Sequence, residues 1–306
     1  MTTQHQFGGQ WTEEKLNRLR SYLPAYTRIF RANERAKLYT TYYLDAFAGT
    51  GYRSGIESSA AIRTAGVGLF DNDIDNITLD DADAESFSKG SARIALEVEP
   101  SFDHYIFVEQ KLEHIRNLEM LRTQFPAKSH QIEIVQSDAN IFLQRWCLEM
   151  NWHRNRAVVF LDPYGMSVEW KTIEALGKTK AVDLWILFPL GQAVNRLLTR
   201  AQPPQGPWAR KLTAFFGTED WKTAFYQPSR QPSLFDAGQA LRKEADFEGI
   251  SEFFVQRLET AFAKVAKNAL TLRNSRNVPI YLLYFAAANP KGAPTAVRIA
   301  NHILGK

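Results

Sequence analysis

The chain of 306 residues holds one cysteine, Cys147. A single thiol closes no internal disulfide, and a structural zinc site needs several Cys or His ligands. The six histidines (His5, His104, His114, His130, His153, His302) do not fall at metal-ligand spacing, so no metal is expected. His104 and His114 are expected at the surface or in caps, and Cys147, beside Trp146, is expected as a small buried hydrophobe. Long apolar runs are missing too. The longest, Val182 to Leu190, is about half a bilayer span and contains Asp183. The first ten residues show no apolar core of a secretory signal. The expectation is a cytoplasmic protein without membrane contact.

Charge of one sign is absent from two stretches. Residues 64 to 88 contain Asp71, Asp73, Asp75, Asp80, Asp81, Asp83 and Glu85 and no base, and residues 260 to 306 contain seven bases and no acid. The segment 11 to 37 has seven bases against three acids. The net charge of +4 therefore hides a basic protein carrying one acidic run. Basic surface attracts nucleic acid and other polyanions, although charge alone equally describes solvated helix faces. The acidic run reads as a solvated loop.

What is present is an alternation. Leu16, Leu19, Leu23, Tyr26 and Phe30 recur at three- and four-residue steps, predicting a helix over 12 to 36 interrupted at Pro24. Short apolar runs at 42 to 47, 104 to 109, 132 to 136, 157 to 161 and 182 to 188 read as strands. Helical segments at 111 to 124, 140 to 150 and 169 to 177 separate them. The pattern predicts an α/β fold with a mostly parallel twisted sheet and helices on both faces. Residues 251 to 267 read as a helix, 269 to 273 and 279 to 287 as a C-terminal antiparallel strand pair, and 293 to 304 as a last helix. The expected organisation is an N-terminal helical segment (1–37) and a Rossmann-like domain (38–306). An acidic insertion (52–103) and a helical insertion (191–249) interrupt that domain. In the second, Trp208, Phe215, Phe216, Trp221 and Phe225 lie among Arg196, Arg200, Arg210 and Lys211. Those aromatics either pack a helical lid or help grip nucleic acid.

Ligands of an open parallel sheet bind beyond the carboxyl ends of its strands. The first strand delivers Asp45-Ala-Phe47-Ala-Gly49-Thr50-Gly51, a loop whose glycines let backbone approach a ligand. The second ends at Glu109, a carboxylate suited to two ribose hydroxyls. After the third come Ser137-Asp138-Ala139-Asn140, in which Asp138 suits an adenine amine or an N-cap. The fourth ends in Asp162-Pro163-Tyr164-Gly165. A dinucleotide fingerprint needs a third glycine and an acid about 20 residues on. Here Ser54 stands at the third position and Glu109 lies far beyond it, so S-adenosylmethionine fits better than a nicotinamide cofactor. Methylating an exocyclic amine needs an acceptor for the amine, a second acceptor beside it and an aromatic face for the base. Asp162, the Pro163 carbonyl and Tyr164 supply these in order. Asp and Pro are also ordinary turn formers.

Asp45-Ala-Phe-Ala-Gly-Thr-Gly51, Gly90-Ser91, Phe107-Val-Glu109, Leu161-Asp-Pro-Tyr-Gly165 and Trp185-Ile-Leu-Phe-Pro189 together resemble the three-Cys-motif partner (TcmP) family over about 12 to 304. That family is similar to class I S-adenosylmethionine-dependent methyltransferases, and its namesake partner is a separate protein carrying three cysteines. The resemblance implies the class I methyltransferase fold. It assigns Asp45, Phe47, Gly49, Thr50 and Gly51 to the cofactor loop, Glu109 to the ribose, Asp138 with Ala139 to the adenine, and Asp162, Pro163 and Tyr164 to catalysis. The fourth motif also resembles the Asp-Pro-Phe-Gly of tRNA guanine amino-methylases. It departs from the Asp/Asn-Pro-Pro-Tyr/Phe of adenine and cytosine methylases by placing Tyr164 where the second proline stands.

The expected function is S-adenosylmethionine-dependent methylation of an exocyclic amine of a nucleic-acid base or nucleotide. A single-stranded or flipped base is favoured. A three-Cys-motif protein is the second expected partner. The alternative is a catalytically silent, cofactor-binding subunit of a complex with that protein.

Overall fold

A computed structural model of the chain describes residues 10–50, 90–228 and 241–305. Gly51 and the acidic run at 71–85 lie outside the described residues.

Among the described residues, eight strands build the main sheet. β1 (Thr40–Asp45), β2 (His104–Glu109), β3 (Ile132–Gln136), β4 (Asn155–Leu161) and β5 (Val182–Phe188) run parallel in the order β3-β2-β1-β4-β5. A short hairpin, β6 (Tyr226–Pro228) and β7 (Leu241–Lys243), stands apart. β10 (Pro279–Ala287) then pairs antiparallel with β5, and both β8 (Lys264–Val265) and β9 (Leu270–Arg273) pair with β10. The chain has a mixed α/β, Rossmann-like fold: a mostly parallel sheet, flanked by helices and finished by an antiparallel strand near the C-terminus. The strand order reverses between β1 and β4, which opens the ligand crevice at their carboxyl ends.

Period-two alternation sends each strand's side chains to two cores. Val159, Leu161, Leu184, Ile186 and Phe188 face one core, with helices α4 (Ala139–Glu149), α5 (Trp170–Lys178) and α8 (Phe247–Ala261). The insertion helices α6 (Gly206–Phe216) and α7 (Trp221–Phe225) extend that core with Phe215, Phe216, Trp221 and Phe225, all buried. Val158, Phe160, Trp185 and Leu187 face the other core, with α1 (Gln10–Ala32), α2 (Ser91–Leu96), α3 (Leu112–Gln124) and α9 (Ala293–Leu304). Cys147 is buried in the first core, which pushes its thiol pKa up to about 12.

Three expectations need correction. Pro24 does not interrupt α1. Leu23 and Tyr26 are buried against the sheet, and the Thr27 hydroxyl donates to the Leu23 carbonyl at 3.2 Å, so packing outweighs the local cost of proline. Helix α8 begins at Phe247 rather than 251, because Asp246 caps it by accepting from the Gly249 amide at 2.9 Å. It stops at Ala261, and Lys264–Val265 join the sheet beside β10.

Helix α1 runs against the strand direction. Lys15, near its start, reaches the carboxyl end of β4, while Arg31, near its end, donates to Asp103 Oδ1 at 2.8 Å just before β2. Between them the Tyr22 hydroxyl donates to Asp183 Oδ2 at 2.6 Å, and its ring packs edge-on against Trp185. Burial pushes the Asp183 carboxyl up to about 7, against the pull of Tyr22 and Arg156. The unfolded chain releases that proton near pH ~4. Stability from this group is thus full below about pH 4 and is lost as pH rises toward 7. Thermal unfolding of Asp183→Asn should therefore fall less between about pH 5 and 7 than that of the wild type. Parallel Tm curves for the two proteins would show that Asp183 titrates normally.

Candidate active site

The loop after β1 is pinned across three strand ends. The Ala46 amide donates to Phe160 O and the Ala48 amide to Val108 O, each at 3.1 Å. Asp45 is fully buried, accepting from Ser91 Oγ at 2.6 Å and from the Phe47 amide at 3.2 Å. Burial, with the nearby Asp162 charge, pushes its carboxyl up to about 7 despite these donors and Lys15. Asp45 therefore organises the loop and α2. Phe47 is half-buried against the first core, and Gly49 takes φ 57°, a left-handed turn natural to glycine. Thr50 is the last described residue of the loop.

Glu109 is buried and accepts from three backbone amides. Oε1 accepts from the Gln110 and Lys111 amides, both at 2.9 Å; Oε2 accepts from the Gly49 amide at 3.0 Å and lies 3.5 Å from His114 Nδ1. Burial raises its pKa, but His114 and the backbone amides more than offset this and hold it below the usual carboxylate range. His114 is buried, not at the surface, because it packs beneath this carboxylate. His104 is exposed and stacks on Tyr42 at 4.8 Å between ring centroids.

Asp138 caps α4: Oδ1 accepts from the Asn140 amide at 2.8 Å and the Ile141 amide at 3.0 Å. Its Oδ2 has no hydrogen bond among the described residues. Ala139, nearly buried, opens the helix, where backbone amides lack intrahelical partners. The Asn140 side chain ties this helix to the segment after β4. Its Nδ2 donates to Ser167 O at 2.8 Å, and its Oδ1 accepts from the Glu169 amide and the Thr172 hydroxyl.

At the end of β4, Asp162 is buried and ion-paired with a residue no motif indicated. Lys15 Nζ lies 2.7 Å from Asp162 Oδ2, is itself fully buried, and sits 5.2 Å from the centroid of Phe160. Burial pulls the Lys15 amine down to about 7 against the attraction of Asp162, and burial pushes the Asp162 carboxyl up to about 6 against that of Lys15. Asp162 Oδ1 makes no hydrogen bond among the described residues. Tyr164 is 42% exposed on the rim, and Gly165 takes φ 55°, turning the chain back toward α5. The signal for Lys15 lay in the helix pattern. It falls in register with Leu19, Tyr22 and Tyr26 on the buried stripe, where an unpaired lysine is costly.

No family model and no curated protein matches the chain. Solved structures do. Protein LPL1258 of Legionella pneumophila, of family DUF519, is 12% identical, covers 98% of this chain and 92% of its own, and has a TM-score of 0.50. A candidate methyltransferase of Escherichia coli, yhhF, is 13% identical over 87% of this chain and 86% of its own, with a TM-score of 0.29. Likeness at such identity speaks to fold alone. Among the described residues, no group of His, Cys, Asp or Glu is placed to hold a metal, and no helix is long and apolar enough to cross a membrane.

The pair makes a stability prediction. Lys15→Met leaves a buried carboxylate unpaired and should cost about 3–5 kcal/mol in urea unfolding. Lys15→Met with Asp162→Leu should recover most of that loss. An equal loss in the single and double variants would show that the two groups are not coupled.

Proposed function

We propose that the protein is an S-adenosylmethionine-dependent methyltransferase acting on an exocyclic amine of a nucleic-acid base or nucleotide. The observation that carries this is the carboxyl end of β4. There a buried carboxylate has one oxygen held by Lys15 and the other open, with the Pro163 carbonyl and an exposed tyrosine beside it.

The donor set beside it suits the cofactor. The open Asp138 Oδ2 and the helix-start amide of Ala139 offer an acceptor and a donor, as an adenine edge requires. Glu109 Oε2 suits a ribose hydroxyl, and the tight turn at Gly49 lets backbone approach the methionine portion. When bound, S-adenosylmethionine supplies an electrophilic methyl group.

The protein's own residues do the rest. Tyr164 stacks on the base and orients its plane. Asp162 Oδ1 and the Pro163 carbonyl each accept one amine hydrogen, which turns the nitrogen lone pair outward. As the nitrogen gains its methyl group it becomes cationic, and the ionised Asp162 stabilises it and accepts the departing proton. Lys15 acts through Asp162, keeping it ionised near neutral pH and fixing its rotamer. The same strand-end motifs support membership of the three-Cys-motif partner family, with the cysteine-bearing protein as a partner.

Asp162→Ala should lower methyl transfer at least about 100-fold while S-adenosylmethionine binding stays within about threefold. Transfer can be read as labelled methyl incorporated into RNA and DNA from cells lacking the gene, followed by mass spectrometry of the nucleosides. Near-normal transfer by the variant would refute the catalytic role. Cofactor binding without transfer to any nucleic acid would point to the silent-subunit alternative.

The wild-type rate should rise with pH through about 6, as Asp162 loses its proton. A rate flat between about pH 5 and 8 would contradict Asp162 as the acceptor.

A further inference from the structure

The insertion between β5 and α8 builds a second polar feature outside the crevice. Asn195, Arg200, Arg242, Lys243 and Ala245 line a cleft of about 400 Å³. Its two walls are joined by backbone and side chain. The Lys243 amide donates to Arg200 O at 3.0 Å, Lys243 Nζ donates to Asn195 Oδ1, and the Tyr226 hydroxyl donates to Thr199 O at 2.8 Å. The cleft is therefore a formed wall and not a chance meeting of long side chains.

Its charge is unbalanced. Arg200 and Arg242 are exposed, and among the described residues neither they nor Lys243 pairs with a carboxylate. Partial burial and the charge of Arg200 lower the Lys243 pKa, so these two cations feel one another. Three cations converging without an acid repel, and the ligand that relieves them is an anion. Guanidinium groups match phosphate oxygens in forked geometry, and a lysine adds a point charge.

The position fits a strand of substrate. β5 lies beside β4, pairing Ile186 with Leu161. The chain leaves β5 at Phe188 and reaches Asn195 through the compact turn Leu190–Val194. The cleft thus begins on the rim that carries Asp162. Of the insertion's aromatics, Phe215, Phe216, Trp221 and Phe225 are buried in the core and offer no stacking surface, and Trp208 is partly buried against the same core. What the insertion presents here is charge, which holds a backbone and does not read bases.

We infer that the cleft lined by Asn195, Arg200, Arg242 and Lys243 is a phosphate subsite that binds the backbone of single-stranded nucleic acid while a nearby base occupies the catalytic crevice. The identity of the strand as substrate rests on the methyltransferase reading; the anion site itself does not.

Fluorescence anisotropy with a labelled mixed-sequence single-stranded RNA of about 20 nucleotides tests this across a sodium chloride series. Arg200→Ala with Arg242→Ala should weaken binding about tenfold or more near 100 mM salt. It should also flatten the slope of log K against log salt by about 1.4, two phosphate contacts' worth. The corresponding double lysine variant should retain most of both. An affinity and slope unchanged in the alanine variant would overturn the subsite. Displacement of the RNA by equimolar inorganic phosphate or AMP would overturn the strand assignment in favour of a small phosphorylated ligand. S-adenosylmethionine binding, measured in parallel, separates the two proposals. A chain that binds no cofactor yet loses RNA affinity in the variant refutes the methyltransferase and keeps the cleft. The reverse outcome does the opposite.

Discussion

The structure turns on a buried lysine. Lys15 reaches from α1 over the face of the sheet, beside Phe160, and meets Asp162 at the end of the fourth, central strand. Two charges taken out of water are tolerable only when each satisfies the other. The pair therefore dictates where α1 lies. It places the first turns of the helix over the carboxyl ends of the strands, and Tyr22 and Arg31 fasten the rest of it down the sheet. The helix is thereby part of the crevice floor, although nothing in its own sequence resembles a site.

The same economy holds across the rim. Three of the acidic residues there are held by groups from another element, Asp45 by Ser91, Glu109 by Gly49 and the residues before α3, and Asp162 by α1, while Asp138 caps its own helix. These carboxylates are first of all structural. Their value to a ligand lies in the oxygens without a hydrogen bond among the described residues: Oδ2 of Asp138 and Oδ1 of Asp162. A site built this way is rigid before anything binds, which suits positioning a flat base against a donor methyl.

Much of this was legible in the sequence. The runs at 104 to 109, 132 to 136 and 182 to 188 match their strands residue for residue: β2 and β5 are buried, largely apolar runs, whereas β3, at the end of the sheet order, is only partly buried and mixes apolar with polar residues. The strand-end acids followed from that. Lys15 and the burial of His114 did not, since both depend on contacts across long stretches of chain that local periodicity does not encode. The persistence of α1 through Pro24 and the start of α8 at Phe247 failed for a related reason: tertiary packing and a cap outweighed local propensity. The insertion's aromatics left two readings open, and burial decides for packing at Phe215, Phe216, Trp221 and Phe225, while Trp208 is only partly buried against that core. The basic residues among them remain at the surface, so the two halves of that pattern have separate jobs.

The account stands or falls on the cofactor. Calorimetric titration of S-adenosylmethionine into the wild-type chain and into Asp138→Ala tests it most directly. One equivalent bound by the wild type, and at least about tenfold weaker binding by the variant, is the predicted result. No binding of S-adenosylmethionine by the folded wild-type chain would contradict it.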